Sequence, residues 1–438
     1  MEAEELFDLQ VKNIRSWNNT YSKKAKTLYP KNVFDLKKIM NFLKKEKKNY
    51  IIKTGECSYD GKSITENFNT YVISLKKLDK VIKINKKRGI VSVQSGAIIS
   101  DIIKLLKGDN LTLFSVPGGE RISVGGAISA NAIGKDSSKT IGSFGDSIES
   151  LCVLSEKNEI IKLRKNSKKL KYYIGSFGLS GIILEAELKT KKMKSPNLLL
   201  KSRILNDMFE VENELKKVSD YKYIQLDPFF RKKNFAIVFS ANSTNHSNKI
   251  YQFINLKKYF YEKMFFKLSS YFINFFTWRI FYKLFFVFNK NKNHYVDIHN
   301  FHYSSKYKHM LPLIANNGIN DYEILIKKDF IKNMEIIINY LKKKKLYAVY
   351  IIMKKIYKSK KKFFYQFNDN GYAVAIALKK DKNQKDVSFF FKNLIKKKNI
   401  KINLSKTDNF LINKIPKRNN LFMSKYKKMV LKNNGLSR

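Results

Sequence analysis

The chain has 438 residues, 44% of them hydrophobic, which is enough for two or three domains with buried cores and too apolar for a disordered chain. Its 87 Lys and Arg against 36 Asp and Glu leave a formal charge of +51, yet only nine of the 87 are Arg, and Lys, Asn, Ile, Phe and Tyr are overused together. That pattern marks AT-rich coding rather than the planar Arg forks that read nucleic acid, so it argues against a nucleic-acid partner and leaves anionic membrane or anionic substrate.

The opening MEAEELFDLQ is acidic and has no apolar run, so no signal peptide is expected. Periodicity predicts an amphipathic helix over residues 33–49 and a short strand in YIIKT. Alternation then predicts strands near 71–75, 80–84 and 90–94, with turns at LDK and KKRG. IISDIIKLLKG is a helix ending at Gly108. Two cysteines, Cys57 and Cys152, form no CxxC, so neither a zinc knuckle nor a redox pair is indicated, and a reducing compartment suits them. SLCVLSEKNEIIKLR reads as a hairpin. The strand in GSFGLSGIILEAELKT closes an α+β region of short strands and few helices.

YFYEKMFFKLSSYFINFFTWRIFYKLFFVF, residues 259–288, is aromatic and broken by Lys263, Lys267, Arg279 and Lys283. Its longest uncharged run, Leu268 to Trp278, is shorter than the ~20 residues that cross a bilayer. It suits a helix lying in a membrane interface or one packed on the protein. His294, His299 and His302 follow closely, but a metal site needs a further ligand, and pocket or surface histidines are the simpler reading.

Residues 321–404 carry the order β-α-β-β-α-β, a ferredoxin-like split βαβ pattern. One helix carries Ile331, Met334, Ile338 and Leu341 at helical spacing, and the other Val387, Phe391 and Leu394. On the first strand Tyr322, Ile324 and Ile326 face those helices. Asp321 and Glu323 then point to the open face, as a site wall or simply as solvated carboxylates.

One stretch stands apart: PGGERISVGGAISANAIGKDSSKTIGSFGD, nearly free of Lys. Residues 108–160 hold four basic and seven acidic side chains. Gly118, Gly119, Gly125, Gly126, Gly134, Gly142 and Gly145 lie within it. Bare backbone lets N–H groups close on a phosphate or pyrophosphate, and that is the expected use. No GxGxxG follows a strand and no GxxxxGK[ST] is present, which excludes the usual Rossmann and P-loop designs.

This stretch, with the following DSIESLCVLSEKNEIIKL, resembles the flavin-binding loop of the vanillyl-alcohol oxidase (PCMH-type) superfamily. It is most similar to the decaprenylphosphoryl-ribose 2-oxidase group. GSFGLSGIILEAEL resembles that group's G-x-G-L-T-G-I-I segment, SYDG its S-Y-G-D turn, and VSVQSGA the strand and glycine that follow. NDYEILI, IIMKKIY and INLSKTD resemble substrate-side segments. The resemblance implies an α+β chain with a two-part FAD-binding domain over residues 1–192 and a cap over 193–400. A C-terminal segment, 401–438, would return to the FAD domain.

It also implies cofactor contacts for Ser58, Tyr59, Pro117, Gly118, Gly119, Ser123, Val124, Gly125, Gly126, Asn131, Gly134, Lys135, Ser143, Phe144, Gly145, Gly181, Ile182 and Ile183. Ile133 stands where many relatives carry a flavin-linked histidine, so the FAD would be non-covalent. Lys406 and Tyr59 would be catalytic, a fixed ammonium being suited to charge that develops on a reduced flavin. Lys354, Glu323 and Asp321 would bind substrate, with Lys355 an alternative register for Lys354. The two carboxylates stand where the group has glutamines, which points to a different sugar contact. The family's glycines before its S-Y-G-D turn are replaced around TGECSY, and its C-terminal tail motif is missing from LKNNGLSR.

The implied activity takes hydride from a secondary alcohol carbon of a sugar onto flavin N5. The sugar would be a phosphorylated or polyprenyl-phosphate-linked pentose used in cell-envelope polysaccharide synthesis. A short-chain dehydrogenase partner would complete an epimerisation at the cytoplasmic membrane face. The rivals are a sugar-lactone or alditol oxidase that uses oxygen, and a non-enzymatic basic membrane-binding protein on a decayed flavin fold.

Overall fold

Three sheets carry the chain, and each forms where the sequence alternates. The computed structural model describes residues 7–59, 64, 68–136, 138–246, 274–303, 318–367, 369–380, 383–396 and 399–406. The first sheet has the order β1 (Leu9–Arg15), β2 (Ser22–Leu28), β4 (Tyr71–Ser74), β3 (Tyr50–Lys53). Helix α1 (Val33–Lys45) crosses between the parallel pair β2 and β4 and the edge strand β3. Asn32 caps it, its side chain accepting from the Asp35 N–H at 2.9 Å. Leu36, Ile39, Met40 and Leu43 form its buried face.

The second sheet runs β5 (Val81–Asn85), β6 (Ile90–Gln94), β10 (Ile182–Lys192), β8 (Ile148–Leu154), β9 (Ile160–Arg164). Strand β7 (Leu111–Leu113) adds to the end of β10. Helices α2 (Ile99–Lys107) and α3 (Val124–Ala130) pack on it through Ile99, Ile102, Ile103, Leu106, Val124, Ala127 and Ile128. Helix α3 lies inside the glycine stretch: VGGAISA is helical, capped by Ser123 and ended by Asn131 in the left-handed region at φ 46°.

The third sheet has eight strands, ordered β14-β11-β13-β12-β16-β17-β15-β18. Its second half is the expected split unit: β15 (Ile319–Ile326), α7 (Phe330–Lys343), β16 (Ala348–Ile356), β17 (Gly371–Lys379), α8 (Gln384–Ile395), β18 (Ile400–Ile402). The first half repeats that strand order. It comprises β11 (Asn197–Leu205), α4 (Met208–Lys216), β12 (Tyr221–Leu226), β13 (Ala236–Ser243), α5 (Phe275–Asn289) and β14 (Asn293–Asp297). The units join through antiparallel pairing of β12 with β16, Gln225 opposite Ile352.

This first unit is absent from the sequence reading, because a long insertion parts β13 from α5. Residues 259–273 of the aromatic segment lie outside the described residues, as do Asp60 and Gly61 and everything after Lys406. Helices α4, α7 and α8 share one face of the sheet over Tyr322, Ile324 and Ile326, as the alternation predicts. Helix α5 lies on the opposite face, over Ile237, Phe239, Ile319, Val349 and Ala377. Helix α6 (Ile298–Tyr303) packs beside α2, with His299 Nε2 3.0 Å from Ser100 Oγ.

The carboxylate face of β15 is not open. It meets the FAD-like half of the chain, and Asp321 and Glu323 are 1% and 4% exposed.

Candidate functional site

A cleft of about 1190 Å³, part of it open solvent, runs between the loop after β3 and helix α3. Its walls are small: Gly55, Ser58, Ser95, Gly125, Gly126, Ala127, Ser129, Ala130, Ala132, Gly178 and Gly181, with Ile182 and Ile183 at one end. Ser123 holds the two sides together. Its Oγ accepts from Gly55 N–H at 3.1 Å and Gly126 N–H at 3.3 Å, and donates to Thr54 Oγ1 at 2.5 Å. A Cβ on Gly55 would sit 2.3 Å from the Arg121 carbonyl, so only glycine lets this loop close on the helix. Ser95 Oγ is buried with no hydrogen-bond partner among the described residues, and Ser95 lines the cleft.

The glycine amides are used differently from the expectation. Gly125 N–H bonds the Ser95 carbonyl at 2.7 Å, Gly142 N–H bonds Asp146 at 2.9 Å, and Gly145 N–H bonds the Asn131 side chain at 3.1 Å. Gly125 thus meets backbone, while Gly142 and Gly145 meet side chains of the chain itself, so these three amides are not left for a ligand.

Of the expected cofactor contacts, Ser58, Tyr59, Ser123, Gly125, Gly126, Gly181, Ile182 and Ile183 line the cleft. Pro117, Gly118, Gly119, Val124, Asn131, Gly134, Lys135, Ser143, Phe144 and Gly145 do not. Val124 and Phe144 are core. Ser143 bonds Ser359, and Lys135 Nζ donates to the Phe301 carbonyl at 3.3 Å. The loop from Ile52 to Cys57, Ser95, Ser129, Phe177, Gly178 and Ser405 are additional lining that the sequence reading missed.

The cleft ends at Tyr59 and Lys406. Strand β18 pairs antiparallel with β15, Ile402 opposite Ile324, and Asn403 N–H extends the ladder to the Glu323 carbonyl at 2.7 Å. Asn403 then turns the chain, its Oδ1 accepting from Ser405 N–H at 3.0 Å. The turn sets Lys406 over the β15 carboxylates, Nζ 3.3 Å from Glu323 Oε2 and 3.7 Å from Asp321 Oδ2. It also lies 5.8 Å from the centre of the Tyr59 ring.

Lys354 approaches Glu323 Oε1 at 4.0 Å and donates to the Ile133 and Gly134 carbonyls at 3.1 and 3.2 Å. Lys355 instead lies beside Tyr357. Two residues were missed: Tyr350, whose hydroxyl donates to Asp321 Oδ2 at 2.8 Å, and Asn403, whose amide donates to Glu323 at 2.6 Å. Tyr350 was findable, since it shares a strand face with Lys354.

Two carboxylates and two ammoniums thus balance in a buried cluster. Burial raises the pKa of Asp321 despite Lys406. Burial pushes Glu323 the same way, but Lys406 and Lys354 outweigh it and hold Glu323 below the usual range. Lys406 is raised: burial alone would lower it, and Glu323 and Asp321 prevail. Its side chain keeps 30% exposure, so the cleft reaches it. Burial lowers Lys354.

Asp136 was also missed. Its Oδ2 accepts from Val116 N–H at 2.7 Å, its Oδ1 has no partner among the described residues, and burial pushes its pKa up to about 7. The three clustered histidines do not converge: His299 meets Ser100, His302 packs edge-on to Tyr221, and His294 is on β14.

Residues 25–164 match the family described as an FAD binding domain. D-lactate dehydrogenase of Anaerostipes hadrus is 32% identical over 125 residues, 27% of this chain and 26% of that protein. Decaprenylphosphoryl-beta-D-ribose oxidase of Mycolicibacterium smegmatis is 28% identical over 127 residues, 28% of this chain and 27% of that protein. The match thus spans about a quarter of each relative's length.

Cholesterol oxidase from Brevibacterium sterolicum superposes over 98% of this chain and 96% of its own, with a TM-score of 0.70 at 11% identity. A histidine-to-alanine mutant of that enzyme gives a TM-score of 0.69 at 10% identity, over 94% of this chain and 89% of its own. The chain therefore carries an FAD-binding domain over residues 25–164 and shares the fold of cholesterol oxidase.

Proposed function

We propose that the protein is an FAD-dependent oxidoreductase acting on the CH–OH group of a sugar or related polyol. The observation that carries this reading is the meeting of the small-walled cleft with the Lys406–Glu323–Asp321 cluster at its Tyr59 end.

The residues fit the cofactor. Glycine, alanine and serine along much of the wall leave room for a long planar molecule, and the unpartnered Ser95 Oγ would offer it a hydrogen bond. Ser58, Tyr59, Ser123, Gly125, Gly126 and Gly181 to Ile183 would hold it. Ile133 has no nucleophilic atom, so no covalent link forms there. FAD, when bound, supplies a two-electron acceptor for an alcohol carbon.

The chain's own groups would do the rest. Lys406 holds a fixed positive charge at the end of the cleft and stabilises negative charge that develops beside it. Asp321, buried and with Oδ1 unpartnered among the described residues, would receive the hydroxyl proton once a substrate reaches that oxygen. Tyr350 fixes the other oxygen of that carboxyl. Glu323 and Asp321 accept hydrogen bonds from neutral hydroxyls. The cluster carries no net charge, so the preference for a polyol over a lactate-like substrate rests on the resemblance to the ribose oxidase. Lys354 is already committed to two carbonyls and Glu323, so a phosphate on the sugar would be bound elsewhere. We extend the reading to a lipid-phosphate-linked pentose at the cytoplasmic membrane face, with a separate short-chain dehydrogenase reducing the ketone.

Purified protein should be yellow and should release free FAD on heating. Under anaerobic conditions sugars or polyols should bleach it. A colourless protein that takes up no added FAD overturns the reading. Bleaching by D-lactate and by no polyol replaces it with oxidation of a 2-hydroxy acid.

A further inference from the structure

Helix α5 has a face that no described residue covers. Its buried stripe is Trp278, Tyr282 and Phe286, one side chain per turn. On the far side stand Phe276, Ile280, Leu284 and Val287, flanked by Phe281 and Phe288, each between 45% and 72% exposed. A helix with one face on the core ordinarily turns charge toward water. This one carries no carboxylate, and its two cations, Arg279 and Lys283, sit one turn apart on a single flank, with Lys290 just past the C-terminal end.

We propose that this face docks on the surface of an anionic phospholipid bilayer. Fifteen residues make a helix about 22 Å long, which would lie in the plane of the interface. No helix among the described residues is long and apolar enough to cross a membrane. Phe276, Ile280, Leu284 and Val287 would enter the acyl boundary while Arg279 and Lys283 reach the headgroups.

Charge selects the occupant. A second copy would bring the same cations, and another +51, against this face, whereas an anionic surface is attracted by both. The helix that carries this face also packs on the strand that carries the chemistry. Ile319, beneath α5, is two residues from Asp321 on the same strand and the same side of the sheet.

The test is flotation of the full chain with vesicles of phosphatidylcholine alone or mixed with phosphatidylglycerol, at physiological salt. Wild type should float with the mixed vesicles. A Phe276→Gln, Ile280→Gln, Leu284→Gln triple variant should bind about 100-fold more weakly, with an unchanged thermal melt because all three positions are exposed. Arg279→Glu with Lys283→Glu should weaken binding about tenfold or more. The same charge change at Lys44 and Lys45 on α1 should have little effect.

Three results overturn the proposal. One is wild type that does not float. A second is binding that the triple variant retains, or that the α1 variant loses equally, so that bulk charge alone is responsible. The third is a wild-type dimer that the triple variant dissolves, which would make a second copy the occupant.

Discussion

Lys406 neutralises two carboxylates that lie two positions apart on one strand, and the three form a unit whose parts cannot be removed singly. In a Lys406→Met variant, Glu323 keeps Lys354 and the Asn403 amide, and Asp321 keeps the Tyr350 hydroxyl but no ion pair among the described residues. Removing one partner of a buried pair leaves an uncompensated charge, and stability should fall by about 2 kcal/mol, the partial exposure of Lys406 moderating the loss. Flavin reduction by substrate should slow about 100-fold, the scale for losing one preorganised electrostatic group. Adding Glu323→Gln should recover stability but not rate. A normal reduction rate in Lys406→Met would remove the lysine from the chemistry.

Asp136 makes a pH prediction. Its folded pKa, about 7, lies above the ordinary carboxyl value of 3.8, so the folded state binds its proton more tightly than the unfolded chain does. That contribution is complete below pH 3.8 and is lost as pH rises through about 7. Asp136→Asn removes the titration. The stability of the variant minus that of wild type should therefore climb by about 4 kcal/mol between acid and neutral pH, measured by urea melts. A flat difference would show that this carboxyl is not held protonated.

Helix α3 shows how a short element can organise a site. Seven residues with two glycines make a weak helix, and what keeps it in place is Ser123 at its start. One hydroxyl serves the helix N-terminus, the Gly55 amide and Thr54, so cap and cleft wall depend on the same atom. Ser123→Ala should cost about 1–2 kcal/mol, the usual range for a lost cap plus an unsatisfied amide, in urea melts. It should also weaken FAD binding, measured by fluorescence titration, because the Thr54–Cys57 wall loses its tether. Unchanged FAD affinity would mean that the loop is held by packing alone. The glycines belong to the same account. Gly125 was expected to free its amide for a ligand, but it and Gly55 let three pieces of backbone meet where any side chain would intrude.

At the scale of the molecule, the eight-stranded sheet is two split units joined edge to edge, and the site forms where one of its faces closes on the FAD-binding half. Part of this is written in short-range pattern. Alternation in DYEILIK alone assigns Tyr322, Ile324 and Ile326 to the helices and Asp321 and Glu323 to the other face. Helical spacing alone places α7 and α8, and the order of elements alone yields the ferredoxin-like unit. Such features depend on residues a few positions apart, so they survive in a linear reading. The clustering of glycine and the absence of a Rossmann signature likewise needed only the sequence, and with the resemblance they led to FAD.

What the tertiary structure decided involves segments far apart in the chain. The first split unit was hidden because its strands find partners across an insertion. The amides of the glycine stretch were expected free, but Ser95, Asp146 and Asn131 take those of Gly125, Gly142 and Gly145. The carboxylates of β15 become buried because Asn403 to Lys406 and the carbonyls of Ile133 and Gly134 close over that face with their cations. Desolvation and pairing are set by what lies within a few ångströms, and a linear pattern does not record which distant residues those will be.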